Sequence, residues 1–584
     1  MRLCFDIETD GLIGELTQIH CLCIQDVDTG EKSSYTSRNK GSLYEGTRRL
    51  EEAEMLIGHN IINFDIPVLH DLMGFRLQDS HTLFDTQCLA RVIHPDLRLT
   101  DLNAIRDGTG PVGFPRKFAG NHSLRAWGYR IDEHKAPYPG SWEVLTDEML
   151  SYCEQDVNTN VKLFHHLWPN RPPDDAMALE QQFSALLFLT EVHGFKFNIE
   201  DAEKLCAELL KEQVALTWKL QGVFPPEIII STTPKKGLPK TEVKPFNPNS
   251  RQQVAKALID THGWVPKKLT PTGRPEVNEK ILEKLPYPEA ADFARLFLIG
   301  KRVGQVAEGK AGWLRLVKSD GRIHARAIAS GTITGRLAHY GPNLAQVPSV
   351  GKPWGSECRS LFCVPAGKKL VGCDAAGIQL RLLAHYLAPF DRGRYCTVVV
   401  EQDPHLLNQT AIGLATRDLA KTWIYAYIFG AGDGKLGSIS GGSARVGRAQ
   451  RAAFIRAIPA FGSLTDSINK VVESRGYLKG LDGRRYPVDS PHTALNYLLQ
   501  GAEAIIMKRA TVFLYEEATR RFGTEAFCMV AHVHDEYQIE CRESIAEEIG
   551  TIAAQAITQA GEYYNLKCPL AGEFRVGNNW AETH

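Results

Sequence analysis

Between residues 168 and 173 the chain reads Trp-Pro-Asn-Arg-Pro-Pro, and this punctuation most limits how it can fold. Proline has no N–H to give to a helix or a ladder, and it keeps the residue before it out of the helical region, so regular structure must stop here. The 584 residues therefore divide into a first unit ending near residue 173 and a longer remainder, together too long for one hydrophobic core. Before the break, short apolar runs alternate with helical spacings, which predicts an α/β unit. After it, Asn198 can cap a helix whose leucines and valines recur at three- and four-residue spacing to about Phe224. A polar, Lys-Pro-rich stretch from Ser231 to Lys244 interrupts that pattern. Further on, Asp320 to His324 reads as a turn into a strand, Arg417 to Gly430 as a helix, and Phe527 to Cys541 as a hairpin with an exposed tip at His534-Asp535-Glu536. The fold class expected is α/β, multidomain.

No stretch approaches the roughly 18 uninterrupted apolar residues of a membrane span. The chain enters an apolar-acidic strand directly after Met1, so neither a leader peptide nor a preceding domain is expected, and a cytoplasmic setting is. The 13 cysteines form no CxxC pair; Cys4, Cys21 and Cys23 read as small fillers of buried strands. A net charge of -1 leaves nucleic acid neither indicated nor excluded, because a cleft needs only local positive potential.

Chemistry enters with the acids. In Asp6-Ile7-Glu8 two carboxylates stand two apart on a strand, so both project from one face while Ile7 turns into the core. Such crowding is costly unless cations bridge it, which is the logic of a two-metal phosphodiesterase site. Alone, the pair could equally be a solvated strand end. Asp65 after the run His59 to Phe64, and Tyr152 with Asp156 one helical turn apart, add two acids and a phenol.

A second constellation follows the break. The apolar run before Asp374 delivers that carboxylate to a strand end, and Asp535 at the hairpin tip could face it. Arg417, Lys421, Tyr425 and Phe429 recur every four residues, a spacing that drifts only about 40° per step around a helix. Each part has an ordinary reading, a basic helix edge or a polar turn. The combination supplies what nucleotidyl transfer needs: two acids for metals, cations for a triphosphate and an apolar ring against a base.

The first set, in its order, resembles the motifs of the tyrosine-bearing DEDD proofreading exonucleases. The second resembles motifs A, B and C of family A DNA polymerases. A narrower likeness, to the replicative polymerases of T-seven-type podoviruses, rests on Thr334-Gly335-Arg336, Pro342 to Gln346, Arg417 to Asp433, Gly480 to Arg484 and Asn579-Trp580. The resemblance implies an RNase H-like 3′-5′ exonuclease domain over 1–173 and a right-hand polymerase domain over 174–584. Within the latter it implies a thumb at 174–315, a palm at 316–386 and 505–584, and fingers at 387–504. It implies that Asp6, Glu8, Asp65 and Asp156 hold two Mg²⁺ or Mn²⁺ ions with Tyr152 orienting water, and that Asp374, Asp535 and the Ala375 or Cys373 carbonyl hold two more. Arg417, Lys421, Tyr425, Gln379, Phe429 and His534 would meet the dNTP. Arg336, Asn343, Gln346, Arg484, Asn496, Gln500 and again His534 would meet primer-template DNA.

The same resemblance implies a monomer working in viral DNA replication in a bacterial host's cytoplasm, with a helicase-primase or a single-strand-binding protein as candidate partners. Departures from the pattern matter. Gln379 and Phe429 stand where the family carries Glu and Tyr, which predicts retained but relaxed sugar discrimination. Tyr425 predicts ready use of dideoxynucleotides. Only about twenty residues separate Pro226 from Phe246, so no thioredoxin partner is expected; the lysines from Lys235 to Lys244 and Lys267-Lys268 are the alternative grip on DNA. Two other readings stand beside this one: a nuclease whose second half only holds DNA, and a non-catalytic replication factor. Both would predict loss of acids that are present.

Overall fold

The computed structural model describes residues 1–134, 137–231 and 240–584. The first unit is a five-stranded sheet in the order β3-β2-β1-β4-β5, with β1 Arg2–Thr9, β2 Ile19–Asp26, β3 Lys32–Thr36, β4 Met55–Gly58 and β5 Thr82–Asp85. β1 runs antiparallel to β2 and parallel to β4. Alternation along β1 sorts two cores. Leu3, Phe5 and Ile7 pack with Leu56, Val68 and Leu69 on one face, while Cys4 on the other joins Phe84, Trp127 and the helix Asp147–Leu167. Thr146 caps that helix, accepting from the Met149 N–H at 3.1 Å.

The predicted break is an ordered link. Trp168–Asn170 forms a 3₁₀ turn, and the Arg171 guanidinium stacks 3.9 Å over the Trp168 ring. The next helix, Asp174–His193, grouped with the thumb by its place in the sequence, sends Phe183 and Leu187 into the large core that also holds Tyr537, Met507 and Val371. Its Gln181 reaches the other way: the side-chain oxygen accepts from the Asp85 N–H at 2.7 Å, and Nε2 donates to the Leu83 carbonyl at 2.9 Å. One helix is thus bonded to both halves.

The second half has a four-stranded antiparallel sheet ordered Phe527–Val533, Glu536–Arg542, Lys368–Ala375, Gly572–Gly577, backed by helices Pro491–Phe522 and Ala546–Tyr563. Helices Ile199–Val223, Arg251–His262 and Pro288–Val303 surround a separate core of Phe224, Phe246, Trp264 and Phe293. Asn198 caps the first of them as expected, accepting from the Asp201 N–H at 3.1 Å. The polar stretch is flanked by two paired strands, Glu227–Ser231 and Lys240–Lys244; Lys235 and Lys236 lie outside the described residues. No helix among the described residues is long and apolar enough to cross a membrane.

Candidate active sites

In the first unit β1 carries Asp6 and Glu8 on the face covered by the helix Asp147–Leu167, which brings Tyr152, Cys153 and Asp156 over them. Asp65 opens the helix Asp65–Met73 and is pinned by the Ile7 N–H, which donates to its Oδ1 at 3.1 Å. Glu8, Asp65 and Asp156 are all buried. Burial foremost, with Asp85 and Asp156 adding repulsion, pushes the Asp65 carboxyl up to about 7. Tyr152, half-buried, packs against Tyr138 and Trp142.

Two residues of this site escaped the sequence reading. Asp85, buried at the end of β5, caps the next helix by accepting from the Gln87 and Cys88 N–H groups and also accepts from Asn60 N–H at 3.1 Å and Ile62 N–H at 3.2 Å. It therefore shapes the loop that delivers Asp65. The Asp-Thr pair ahead of a helical run was the available signal. Cys153 converges with Cys21 and Cys23, and its thiol donates to the Asp6 carbonyl oxygen at 3.4 Å. Register explains this: Asp6 faces Cys23 and Glu8 faces Cys21 across β1 and β2, so all four share a face. Burial raises the Cys153 thiol, keeping it protonated beside an otherwise all-oxygen acid set that suits a hard divalent ion.

In the second half Asp374 stands near the end of its strand, paired in register with Glu536 on one side and Glu573 on the other. The Ala375 N–H donates to the Asp535 carbonyl at 3.0 Å, which ties the two acidic positions together. The turn holds only His534, at φ 56°, and Asp535. Glu536 is not at the tip: it begins the returning strand, is buried, and accepts from Trp580 Nε1 and, at 2.7 Å, from Gln538 Nε2. Asp374 is the exposed member, yet partial desolvation in the cleft, then Asp535 and Glu536, push its carboxyl up to about 7. Asp535 is raised as well, by burial foremost. The oxygen donors here likewise fit divalent ions.

Above them, Thr416 caps the helix Arg417–Ile428 by accepting from the Leu419 N–H, and Gly430 ends it at φ 80°, where a side chain would meet the His492 carbonyl at 2.9 Å. Ala420, Trp423, Ile424 and Ile428 face the core. That leaves Arg417, Lys421 and Tyr425 on the open side. Arg417 Nε is held by Asp403 Oδ2 at 2.6 Å, and Tyr425 stacks on Phe429 with ring centroids 6.3 Å apart. Burial foremost, then the charges of Asp535, Glu503 and Asp374, raises the Tyr425 phenol. Gln379 is buried in the helix following Asp374, and neither atom of its amide has a partner among the described residues.

Of the expected DNA contacts, Asn496 and Gln500 share a face of the helix Pro491–Phe522, and Thr334 Oγ1 donates to Gln500 Oε1 at 3.4 Å. Arg336 meets Glu503 of the same helix at 2.5 Å. Gln346 is exposed, and Asn343 caps a short turn by accepting from the Ala345 N–H. Arg484 departs from expectation: it is 2% exposed and bound to Asp482 and Glu180, inside a cluster that Lys508 and Ser330 complete. Its guanidinium is engaged within the protein, and a side chain at Gly335 would come within 3.3 Å of its Nη1.

A RNase H-like sheet with a covered acid set, followed by an open palm facing a cationic helix, defines a class of two-site nucleic-acid enzymes. Comparison makes it specific. The RNase H superfamily profile matches residues 3–168 and that of DNA polymerase family A matches 235–582. The chain is 33% identical over 705 aligned positions to the DNA-directed DNA polymerases of Enterobacteria phage T3 and Escherichia phage T7, covering 99% of this chain and 99% of each relative. It also matches the fold of the POL domain of Pol1 from M. smegmatis, solved with DNA primer-template and dNTP, at TM-score 0.74 and 19% identity over 99% of this chain and 96% of that one. The chain belongs to DNA polymerase family A.

Proposed function

We propose that the cleft over Asp374 and Asp535 extends a primer on a DNA template with dNTPs, and that the pocket around Asp6, Glu8, Asp65 and Asp156 trims the primer from its 3′ end. The observation that supports this is the Ala375 to Asp535 backbone bond, which ties the two acidic positions together, with Arg417, Lys421 and Tyr425 along the open side of one helix. Asp374, Asp535 and the Ala375 carbonyl would hold two Mg²⁺ ions, with Mn²⁺ as an alternative, and Asp6, Glu8, Asp65 and Asp156 another pair. Such ions supply Lewis acidity toward the attacking oxygen and neutralise charge on the phosphates.

The protein's own groups do the rest. Arg417 and Lys421 bind the triphosphate, and Tyr425 and Phe429 give the base and sugar an apolar wall. The Gln379 amide, buried with both polar atoms unpaired, answers to the nucleotide's sugar. Asn496 and Gln500 face the minor groove, where shared acceptor positions allow shape checking without sequence preference. In the trimming site Tyr152 positions the attacking water. The test is primer extension on a labelled primer-template with Mg²⁺, with and without dNTPs. The intact protein should lengthen the primer with dNTPs and shorten it without them, and Asp535→Ala should abolish lengthening alone. Shortening under both conditions by the intact protein would leave only a nuclease.

A further inference from the structure

Glu503 is an acid where the sequence offers no local reason for one. It lies in the run Gly501-Ala502-Glu503-Ala504-Ile505-Ile506-Met507, in the middle of the helix Pro491–Phe522, and its side chain is 3% exposed. Alanine there would serve helix and core better, since a buried carboxylate is tolerated only when paired. Its position is three residues after Gln500 and seven after Asn496, the same face of the helix. Its partner is Arg336, whose Nη2 donates to Oε1 at 2.5 Å.

The loop bearing Arg336 is docked on that face twice, through this ion pair and through the Thr334 to Gln500 contact at 3.4 Å. Gly335, at φ 75°, allows the sharp reversal between them. Arg336 is not consumed by the pair, because its Nε is buried and donates to nothing among the described residues. The guanidinium is therefore held by Glu503 through Nη2 and keeps Nε unused beside the face that carries Asn496 and Gln500.

We infer that Glu503 is a positioning residue: it anchors one side of the Arg336 guanidinium so that the remaining donors face the terminal base pair of a primer seated at Asp374 and Asp535. This rests on the polymerase reading above. Purine N3 and pyrimidine O2 present minor-groove acceptors at nearly common positions in every Watson–Crick pair, so a fixed donor there senses pair shape. A guanidinium free to rotate would follow a displaced acceptor and lose that discrimination.

The experiment is steady-state extension from matched and mismatched primer termini by the intact protein, Glu503→Ala, Glu503→Gln, Arg336→Ala and the double variant. Trimming of a single-stranded oligonucleotide serves as the folding control. Glu503→Ala should raise the primer-template KM and slow matched extension by about 10-fold, with little change at mismatched termini, so their ratio falls. Glu503→Gln keeps an acceptor oxygen and should recover most of the loss; the double variant should be no worse than Arg336→Ala. Should Glu503→Ala fail to fold, the Glu503→Gln ratio and its cycle with Arg336→Ala decide alone. Tighter primer-template binding in the Glu503 variants, equal losses at both termini, or additive effects with Arg336→Ala would overturn the inference. An intact protein that extends no primer would overturn the polymerase reading itself, and this inference with it.

Discussion

Both acidic sites start from a strand that delivers a carboxylate to its end, and they differ in what stands over it. In the first unit the helix Asp147–Leu167 lies across β1, and Glu8, Asp65 and the helix's own Asp156 are buried. In the second half Asp374 is open, and two of the cations assigned to that site are each held by an acid, Arg417 by Asp403 and Arg336 by Glu503. Each site has a carboxyl pushed up to about 7, Asp65 by burial and then Asp85, Asp374 by burial and then Asp535. The covered site fixes its geometry before any substrate arrives. The open site instead combines a cation fixed by a buried acid, Arg336, with one held at the surface, Arg417, as suits an enzyme that must judge a base pair.

If the two sites are separate machines, single acids should divide them cleanly. Asp374→Asn should cut primer extension by about 10³-fold while trimming of a single strand stays within about twofold, and Asp65→Asn should do the reverse. Gel assays of both activities on the same preparations decide it. Slowed extension in Asp65→Asn would break the comparison, and Gln181, bonded to the Asp85 N–H from the bridging helix, would be the first suspect.

The residues that could be read from sequence share a local signature. Asp6 and Glu8 alternate on a strand, Tyr152 and Asp156 are a turn apart on a helix, the stripe from Arg417 repeats every four residues, and the hairpin around Asp535 has apolar flanks. Each needs only the period of its own element. Residues that escaped depend on partners far away in the chain: Glu180 meets Lys508, Cys153 meets Cys21, and Glu503 meets Arg336. Arg484 was misjudged for the same reason, since nothing near it in sequence announces Glu180. Glu503 had a faint signal, one acid at helical spacing from Asn496 and Gln500, but a lone charge in an apolar run reads more naturally as a helix edge.

The covered unit should also be the more acid-sensitive in its own aromatic core. His94 packs against Trp127 and His166 at 5.4 and 5.9 Å, and burial foremost, then His166 and Arg130, pushes it from 6.5 down to about 4. Its folded value lies below its unfolded one, so the fold favours the neutral ring. That stabilisation is complete above pH 6.5 and is lost as the pH falls toward 4, on the order of 2–3 kcal/mol. Urea midpoints followed by circular dichroism should decline across this window in the intact protein and less steeply in His94→Phe, where His122 on the same Trp127 ring, lowered further by burial, still contributes. An unchanged slope would place the acid sensitivity elsewhere, as in palm His532, which burial holds near 3.

Selection in the open site is next in size. Gln379→Ala removes a buried amide whose two polar atoms have no partner among the described residues, so ribonucleotide use relative to dNTP use should rise about 10-fold with no change in trimming. Competition assays on one template measure the ratio directly. A ratio unmoved by the substitution would remove Gln379 from sugar selection.

The smallest effect separates two ways of holding a cation. Arg336 is anchored by a buried acid, whereas Arg417, 47% exposed, is held by Asp403 at the surface. A solvent-exposed ion pair is worth about 0–1 kcal/mol, so Asp403 should restrain Arg417 only lightly. Asp403 also caps the helix Pro404–Ile412 through the His405 and Leu406 N–H groups. Asparagine caps as well as aspartate, so Asp403→Asn removes the charge and keeps the fold. Freed of its competitor, Arg417 should take the triphosphate more readily, lowering the dNTP KM by about two- to threefold at low salt and less at high salt. A raised KM would mean that Asp403 aims Arg417 as Glu503 aims Arg336. Both cations would then be held by the same device, and the open site would be as preset as the covered one.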